Sequence, residues 1–453
     1  MKYEAIVVGS GQGGNPLAQK LASDGRRVAI IESGLLGGTC VNTGCTPTKT
    51  MIGSAQVAHY ARNAAHWGVH ASNVGVDLAA IHQRKDKVVA ASRGGWEKKF
   101  EGKENPRLYR GRARFTGHKK IEVDGQPLEG DRIFIDTGCR PTIPSIAGLA
   151  SVKFLTSTTL LELRDLPEHL VILGGGYVGL EFGQMFRRFG SQVTVIQSAP
   201  RILPNEDEDI TRELQRTLEA EGIRFHLSAQ ASEVSPDGSG IAVSLTEQQK
   251  VSGSHLLIAT GRTPNTEDLD LGKTGVATND KGFVLVDERL KTTADEIWAL
   301  GDVNGGPQFT HISYNDFQIV YANLYEGKDL TTTRRLVPYA VYTDPSLGRV
   351  GLTEKAARAK GYKLKIGKIP MTWVARAKER GETAGCMKLV VDATNDRVLG
   401  ASILASEGGE LVQILSTLML AEKPYTLLKG AIYIHPTLTE GLFTLMESVQ
   451  PAE

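Results

Sequence analysis

The stretch Ala5-Ile6-Val7-Val8-Gly9-Ser10-Gly11-Gln12-Gly13-Gly14 decides the fold class. Four consecutive apolar residues read as a strand, and they run directly into glycines spaced GxGxxG at Gly9, Gly11 and Gly14. The segment NPLAQKLASDG that follows reads as a helix, and Val28-Ala29-Ile30-Ile31 is a second apolar strand, ending in Glu32. This is a βαβ unit. The first glycine permits the tight turn, the second lets backbone approach a pyrophosphate, and the third lets helix and strand pack closely. An anion at that turn meets free N–H groups and the positive end of the helix. Glu32 falls about 20 residues on, where a carboxylate accepts hydrogen bonds from ribose hydroxyls.

The same grammar recurs downstream. Leu170-Val171-Ile172-Leu173 is a strand, Gly174, Gly176 and Gly179 repeat the glycine spacing, LEFGQMFRRFG is helical, and Val193-Thr194-Val195-Ile196 ends in Gln197. Two complete fingerprints imply two bound dinucleotides; the alternative is a duplicated fold with one dead site. An acid at the second strand end would repel a 2′-phosphate, so Gln197 leaves NADP possible, and Arg201 is close enough in sequence to meet that phosphate.

At ~150 residues per domain, 453 residues correspond to about three domains. Lys plus Arg total 52 and Asp plus Glu 51, a balance that gives no electrostatic case for nucleic acid or an anionic membrane as partner. No apolar stretch approaches the ~20 residues that span a bilayer. The N-terminus enters a strand at once, leaving no room for a signal peptide. A cytoplasmic enzyme is the expectation.

Four cysteines are too few for a secreted disulfide scaffold, and no Cys/His cluster has zinc spacing, so no metal site is expected. Four residues separate Cys40 and Cys45 within Gly37-Gly38-Thr39-Cys40-Val41-Asn42-Thr43-Gly44-Cys45-Thr46-Pro47-Thr48-Lys49. Partners at i and i+5 reach disulfide range if one helical turn is distorted, and Gly44 and Pro47 supply places for that distortion. A pair of buried free thiols is the alternative. Cys139 and Cys386 stand alone and read as small buried residues.

Two further glycine turns, Ile135-Asp136-Thr137-Gly138 and Ile258-Ala259-Thr260-Gly261, read as crossings between domains, and Gly301-Asp302 closes a short apolar strand. From Arg334 the composition changes to that of an α+β unit with no phosphate loop, which suggests an interface role. The EDEDITRELQRTLEAEG segment reads as an amphipathic helix whose charges form a solvated face.

With these residues in view, the GGTCVNTGCTPTK segment and both fingerprints resemble the class I pyridine nucleotide–disulfide oxidoreductases, along essentially the whole chain. Glutathione reductase, dihydrolipoamide dehydrogenase, mercuric reductase and the reactive-chlorine-resistance flavoenzymes belong to that family, and Asn304-Gly305-Gly306-Pro307-Gln308-Phe309-Thr310 looks most like the reactive-chlorine and mercuric-reductase-like branch. The resemblance implies an α/β chain with two Rossmann-like domains and a C-terminal α+β dimerisation domain. The expected boundaries are 1–148 (FAD-binding, first part), 149–264 (NAD(P)H-binding), 265–333 (central, FAD-binding) and 334–453 (dimerisation).

The resemblance also assigns roles. FAD would be held by Gly9, Gly11, Gly14, Glu32, Thr39, Lys49, Ala113, Thr137, Gly138 and Asp302. NADPH or NADH would be held by Gly174, Gly176, Gly179, Gln197, Arg201 and Gly261, with Tyr177 as the gating aromatic. Cys40 and Cys45 would form the redox-active disulfide, Cys45 as the thiolate beside the flavin and Cys40 as the thiol that attacks substrate. Lys49 matches the family lysine near the flavin, and Glu181 its buried ion-pair partner. Tyr433-Ile434-His435-Pro436-Thr437-Leu438-Thr439-Glu440 matches HPTxxE, so His435 would exchange protons with Cys40, held by Glu440 and contributed by the opposite subunit of a homodimer.

The expected substrate is a small disulfide or oxidised thiol. Reduction of a mercuric- or copper-type metal ion or a reactive electrophile is one alternative, and a dihydrolipoamide dehydrogenase subunit of a larger assembly is another. Mercuric reductases carry a C-terminal cysteine pair and lack the HPTxxE histidine. This tail, Met446-Glu447-Ser448-Val449-Gln450-Pro451-Ala452-Glu453, has no cysteine, and His435 is present. Thr46 and Thr48 depart from the commonest family residues.

Overall fold

A computed structural model describes residues 1–246 and 249–452. The chain divides into two units, one of Met1–Thr50, Ala80–Thr142 and Gly261–Arg335, the other of Met51–Ala79, Ile143–Thr260 and Leu336–Glu453.

In the first unit β1 (Lys2–Val8) lies parallel to β2 (Val28–Glu32) on one side and to the Gln126–Ile135 strand on the other. Arg107–Arg110 extends the sheet past β2 and Ile297–Ala299 joins Gln126–Ile135, both in parallel. The Lys120–Val123 and Ala113–Gly117 strands add an antiparallel edge. Ala5, Val7, Val28 and Ile30 pack against Leu17 and Leu21 of α1 (Gly14–Ser23) and against Ile319 and Val320. Their neighbours Ile6, Val8, Ala29 and Ile31 face the other way, onto Phe115, Ile121 and Leu128. Coverage of both faces is why β1 and β2 are unbroken apolar runs instead of alternating ones. The carboxyl end of β1 thus opens at the amino end of α1, the crevice where open parallel sheets take ligands.

The second unit repeats this plan. Five parallel strands run in the order Ile223–His226, Gln192–Ile196, His169–Leu173, His255–Ile258 and Leu155–Thr156, and the Tyr177–Phe189 helix follows the His169–Leu173 strand. Its C-terminal part is a six-stranded antiparallel sheet with the Gly408–Leu420 and Gly441–Glu447 helices, packed around Met387, Leu389, Ile403, Leu415, Leu442 and Leu445. The architecture is α/β with two Rossmann-like sheets and an α+β C-terminal part. Among the described residues no helix is long and apolar enough to cross a membrane.

One expectation is corrected. The Glu208–Ala220 helix buries Ile210, Leu214 and Leu218 as its periodicity requires and leaves Glu208 exposed, but Glu206, Asp207 and Asp209 at its start are not part of a solvated face. Glu206 and Asp207 are buried, and Arg349 Nε donates to Glu206 Oε2 at 3.0 Å, as does the Tyr339 hydroxyl to Oε1. Buried Lys388 Nζ lies 2.8 Å from Glu354, 3.1 Å from Asp209 and 3.2 Å from Asp207. Strands more than a hundred residues downstream supply these cations, so the acids serve as internal counter-ions.

Candidate active site

Gly9 takes φ +106°, and any side chain there would collide with the main-chain oxygen of Asp136, so the turn closing β1 requires glycine. A Cβ on Gly14 would stand 2.5 Å from Gly9 O, so helix and strand meet backbone to backbone. Glu32 is fixed by two main-chain donors: Oε2 accepts from Ser10 N at 2.9 Å and Oε1 from Gly34 N at 2.7 Å. Each oxygen keeps a lone pair for a ribose hydroxyl. The Thr137 hydroxyl is buried without a partner, and Gly138 at φ +64° borders open space. Asp302 pairs with Arg262 at 2.6 Å; burial pushes its carboxyl above the usual range while Arg262 pulls it back. Ala113 puts its methyl group into the sheet core, leaving main-chain atoms as its polar groups, and Thr39 is exposed on α2 (Gly38–Asn42). An oriented acid, an orphaned hydroxyl and glycine-lined space fit a dinucleotide.

The cysteine segment is bound to that turn. Gly37 N donates to Ser10 O at 3.1 Å, and the Gln12 side-chain amide returns a bond to Gly37 O at 3.1 Å. Asn42 ties the loop by donating to Leu36 O at 2.9 Å and Gly38 O at 3.0 Å, and it accepts from Arg93 Nε at 2.8 Å. The two cysteines do not share one distorted turn, as the spacing had suggested. Cys40 lies in α2, the chain breaks at Thr43–Gly44, and Cys45 opens α3 (Cys45–Arg62). Gly44 is the close approach, since a Cβ there would stand 2.9 Å from Thr39 O. Pro47 distorts nothing, because in the first turn of α3 its missing N–H is not needed.

Neither thiol is disulfide-bonded in this structure. Cys40 is hydrogen-bonded to Cys45, and that bond, followed by burial, holds the Cys40 thiol well above its ordinary value; the Thr310 hydroxyl and the Lys49 ammonium act in the opposite direction. Cys45 is exposed, sits at the positive end of an 18-residue helix, and lies 3.3 Å from Thr310 Oγ1. A helix N-terminus and a hydroxyl directed at Cys45 favour negative charge there, whereas burial disfavours it on Cys40. Lys49, half-buried, follows one turn later on α3. Cys139 and Cys386 are buried thiols, pushed up by burial to about 12 and about 11.

The second cradle repeats the first with different ends. Gly174 takes φ +114° against Ala259 O, and Gly179 abuts Gly174 O. Open space lies where a Gly176 Cβ would be, which is room for an approaching phosphate. Gln197 Oε1 accepts from Gly175 N at 2.9 Å, the bond that the Glu32 carboxylate makes in the first cradle. Arg201 Nη2 donates to Pro204 O at 3.1 Å, while its buried Nε has no partner among the described residues. Tyr177 begins the helix after Gly176. One turn on, buried Glu181 accepts from Tyr342 N at 2.9 Å. Gly261 stands where the chain re-enters the first unit.

His435 and Glu440 meet: Nδ1 lies 2.9 Å from Oε2 and 3.1 Å from Oε1, which leaves Nε2 of the exposed imidazole free to exchange a proton. This pair and Glu181 belong to the second unit; Cys40, Cys45 and Lys49 belong to the first.

Three residues of the first unit went unread in the sequence. Thr310 touches Cys45, Arg262 pairs with Asp302, and the buried Asp136 carboxyl sits in the β1–α1 turn. Thr310 could have been noticed as the end of the Asn304–Thr310 segment.

Residues 3–316 match the model of the pyridine nucleotide-disulphide oxidoreductase family, and residues 337–446 match its dimerisation domain. The chain is 38% identical to the probable pyridine nucleotide-disulfide oxidoreductase RclA of Escherichia coli, over 99% of this chain and 100% of that one. It is 34% identical to a mercuric reductase of Lysinibacillus sphaericus, over 97% and 81% of the two chains. It is also 34% identical to the mitochondrial dihydrolipoyl dehydrogenase of Pisum sativum, over 97% and 90%. Among solved structures, the Cu(II) complex of the HOCl-induced flavoprotein disulfide reductase RclA from Escherichia coli superposes with a TM-score of 0.91, covering 99% of each chain at 38% identity.

Proposed function

Because the chain belongs to the pyridine nucleotide–disulfide oxidoreductase family, we propose that it carries electrons from NADPH to a small disulfide or oxidised thiol by way of Cys40 and Cys45. It is a FAD-dependent oxidoreductase that draws on NAD(P)H, and its matched dimerisation domain makes it a homodimer. Bound FAD supplies the two-electron relay between nicotinamide and the cysteine pair. The Gly9–Gly14 turn binds the flavin pyrophosphate, Glu32 its ribose and Asp302 its ribityl chain, while Gly174–Gly179, Gln197 and Arg201 hold the nicotinamide dinucleotide and Tyr177 covers its site until displaced.

The cysteines then complete an exchange in which atoms and electrons balance. Cys40 gives up its proton to His435, and Cys40 Sγ attacks one sulfur of the substrate disulfide, forming a mixed disulfide. The departing thiolate takes the proton back from His435. The Cys45 thiolate attacks Cys40 Sγ and expels the second substrate sulfur as a thiolate, which takes its proton from solvent, leaving a Cys40–Cys45 disulfide and two substrate thiols. Glu440 holds the imidazole in the tautomer this needs. The observation that carries the reading is the hydrogen-bonded thiol pair, with Cys45 alone at a helix N-terminus. Anaerobic reduction with NADPH followed by a panel of disulfides tests it: rapid thiol release that Cys40→Ser abolishes supports the reading, and release unaffected by Cys40→Ser defeats it. We place the enzyme in the cytoplasm, where reducing conditions favour cysteine pairs that work over those that hold a fold.

A second reading rests on the same sulfurs. The Escherichia coli relative is solved as a Cu(II) complex, and paired thiolates are soft donors suited to such ions. Among the described residues no group of three or more His, Cys, Asp or Glu could hold a metal, so an ion acting as oxidant would meet Cys40 and Cys45. Cu(II)-dependent NADPH oxidation that survives His435→Ala but not Cys40→Ser would favour it.

A further inference from the structure

The N-terminal turn of α1 already holds an acid. Asp136 follows the Gln126–Ile135 strand, and its main-chain N donates to Val8 O at 2.8 Å. Its side chain turns into the glycine turn, where Oδ2 accepts from Gly14 N at 2.6 Å. A Cβ on Gly11 would stand 2.6 Å from Oδ2, and one on Gly301 would stand 3.0 Å from Oδ1. The absence of side chains at Gly11 and Gly301 therefore makes room for this carboxyl group as well as for a ligand. The residue is 6% exposed.

We propose that Asp136 couples flavin binding to the uptake of one proton: its carboxyl group fills the turn that receives the pyrophosphate, and it takes a proton from solvent as that dianion arrives. The inference rests on the flavin reading of the first cradle. The charged groups facing Asp136 are Glu32 at the end of β2, Asp302 in the Gly301–Asn304 turn and Asp316 in the Thr310–Tyr325 helix. The β1–α1 turn itself contributes no charged side chain. Two nearby cations are committed elsewhere, Arg262 to Asp302 at 2.6 Å and Arg335 to Asp316. Burial, followed in effect by these acids, pushes the Asp136 carboxyl well above the usual range, and the Gly14 N–H acts in the opposite direction. A pyrophosphate draws on the same helix end and adds further negative charge, so it drives the acid to its neutral form. A neutral carboxyl still accepts from Gly14 N and can donate its proton to a phosphate oxygen.

Linkage sets the sign. Where ligand binding takes up a proton, affinity falls as pH rises, by up to about ten-fold per pH unit. The test uses the full chain stripped of flavin and titrated with FAD by fluorescence between pH 6 and pH 9. Calorimetry in two buffers of different ionisation enthalpy counts protons. Expected are a dissociation constant that rises with pH at the alkaline end, proton uptake that grows toward one there, and an Asp136→Asn variant with neither, binding FAD more tightly than the unmodified chain at that end. Zero proton exchange in the unmodified chain would overturn the proposal, and so would an Asp136→Asn variant that keeps the slope. If Asp136→Asn does not fold, Asp136→Ser replaces it, and the proton count on the unmodified chain decides in either case. Failure of FAD to bind at any pH would overturn the flavin reading itself, a result distinct from pH-independent binding.

Discussion

Thr310 Oγ1 lies 3.3 Å from Cys45 Sγ, and the two residues open two different helices, Thr310–Tyr325 and α3. Cys45 therefore has a hydroxyl and a helix N-terminus directed at its sulfur, whereas Cys40 sits within a short helix and keeps its proton. Two-electron reduction should produce a long-wavelength absorbance from a Cys45 thiolate beside the flavin. Cys45→Ser should lose that band, and Cys40→Ser should show it without reduction. A band that persists in Cys45→Ser would reverse the assignment of the two thiols.

Thr310 also lowers the Cys40 thiol against the opposing influence of Cys45. Removing the hydroxyl raises the pH at which Cys40 becomes a nucleophile. Thr310→Val should move the pH profile of disulfide reduction upward while flavin content stays constant. An unchanged profile would show that the hydroxyl does not reach the reacting thiol.

Lys388 is a stability prediction. Its ammonium would be lowered by burial, but Glu354, Asp207 and Asp209 outweigh that and leave it raised. Asp209, though burial alone would raise it, is held below its usual range by Lys368 and Lys388. Lys388→Met leaves buried Asp207 without this ammonium, while Asp209 keeps Lys368 and Glu354 keeps Arg358, and should cost up to roughly 3–5 kcal/mol, the range for breaking a buried ion pair. The carboxylate contribution has a definite sign. A depressed folded value stabilises the protein above the ordinary aspartate value of ~3.9 and is lost as pH falls below it. Thermal unfolding should therefore drop below pH 4 in the unmodified chain and less steeply in Asp209→Asn. A Lys388→Met melting temperature equal to that of the unmodified chain would contradict the packing described.

What could be read from sequence follows from range. The βαβ units were legible because strand, glycine turn, helix and second strand lie within some thirty residues, and each demand is local. The acids at 206–209 were misread because Arg349 and Lys388 arrive from distant strands, and a local charge run looks the same whether solvated or paired. The cysteine spacing pointed to a close pair, but its helix break was not legible: Gly44 signals a close approach only once Thr39 O is known to face it. Asp136 escaped because an acid before Thr-Gly has no local signature, and its function depends on where Gly14 N and Gly301 come to lie.

Cofactor choice tests Gln197. In the first cradle the carboxylate of Glu32 accepts a turn N–H; in the second the neutral amide of Gln197 makes the equivalent bond, and the Arg201 guanidinium keeps a buried donor. A 2′-phosphate is thus met without repulsion. NADPH should be preferred modestly over NADH, and Gln197→Glu should shift the preference toward NADH. Comparison of kcat/KM for the two nucleotides decides it, and equal or better use of NADH by the unmodified enzyme would refute the assignment.

The final prediction concerns His435. Glu440 occupies Nδ1, so Nε2 is the nitrogen left for proton exchange with sulfur. His435→Ala should slow disulfide turnover by roughly 10²–10⁴-fold, the range for loss of a positioned acid–base group. Reduction by NADPH should be nearly unaffected, since that half-reaction needs no proton from His435. If the imidazole serves the partner's cysteines, the two defects must complement each other. Chains carrying Cys40→Ser, dissociated and reassociated with chains carrying His435→Ala, should regain activity, because each heterodimer contains one site with both residues intact. Heterodimers that form but stay inactive would place His435 and Cys40 of one chain in one site. Normal disulfide turnover by His435→Ala would remove the proton-transfer role altogether and give the metal-ion reading the stronger claim.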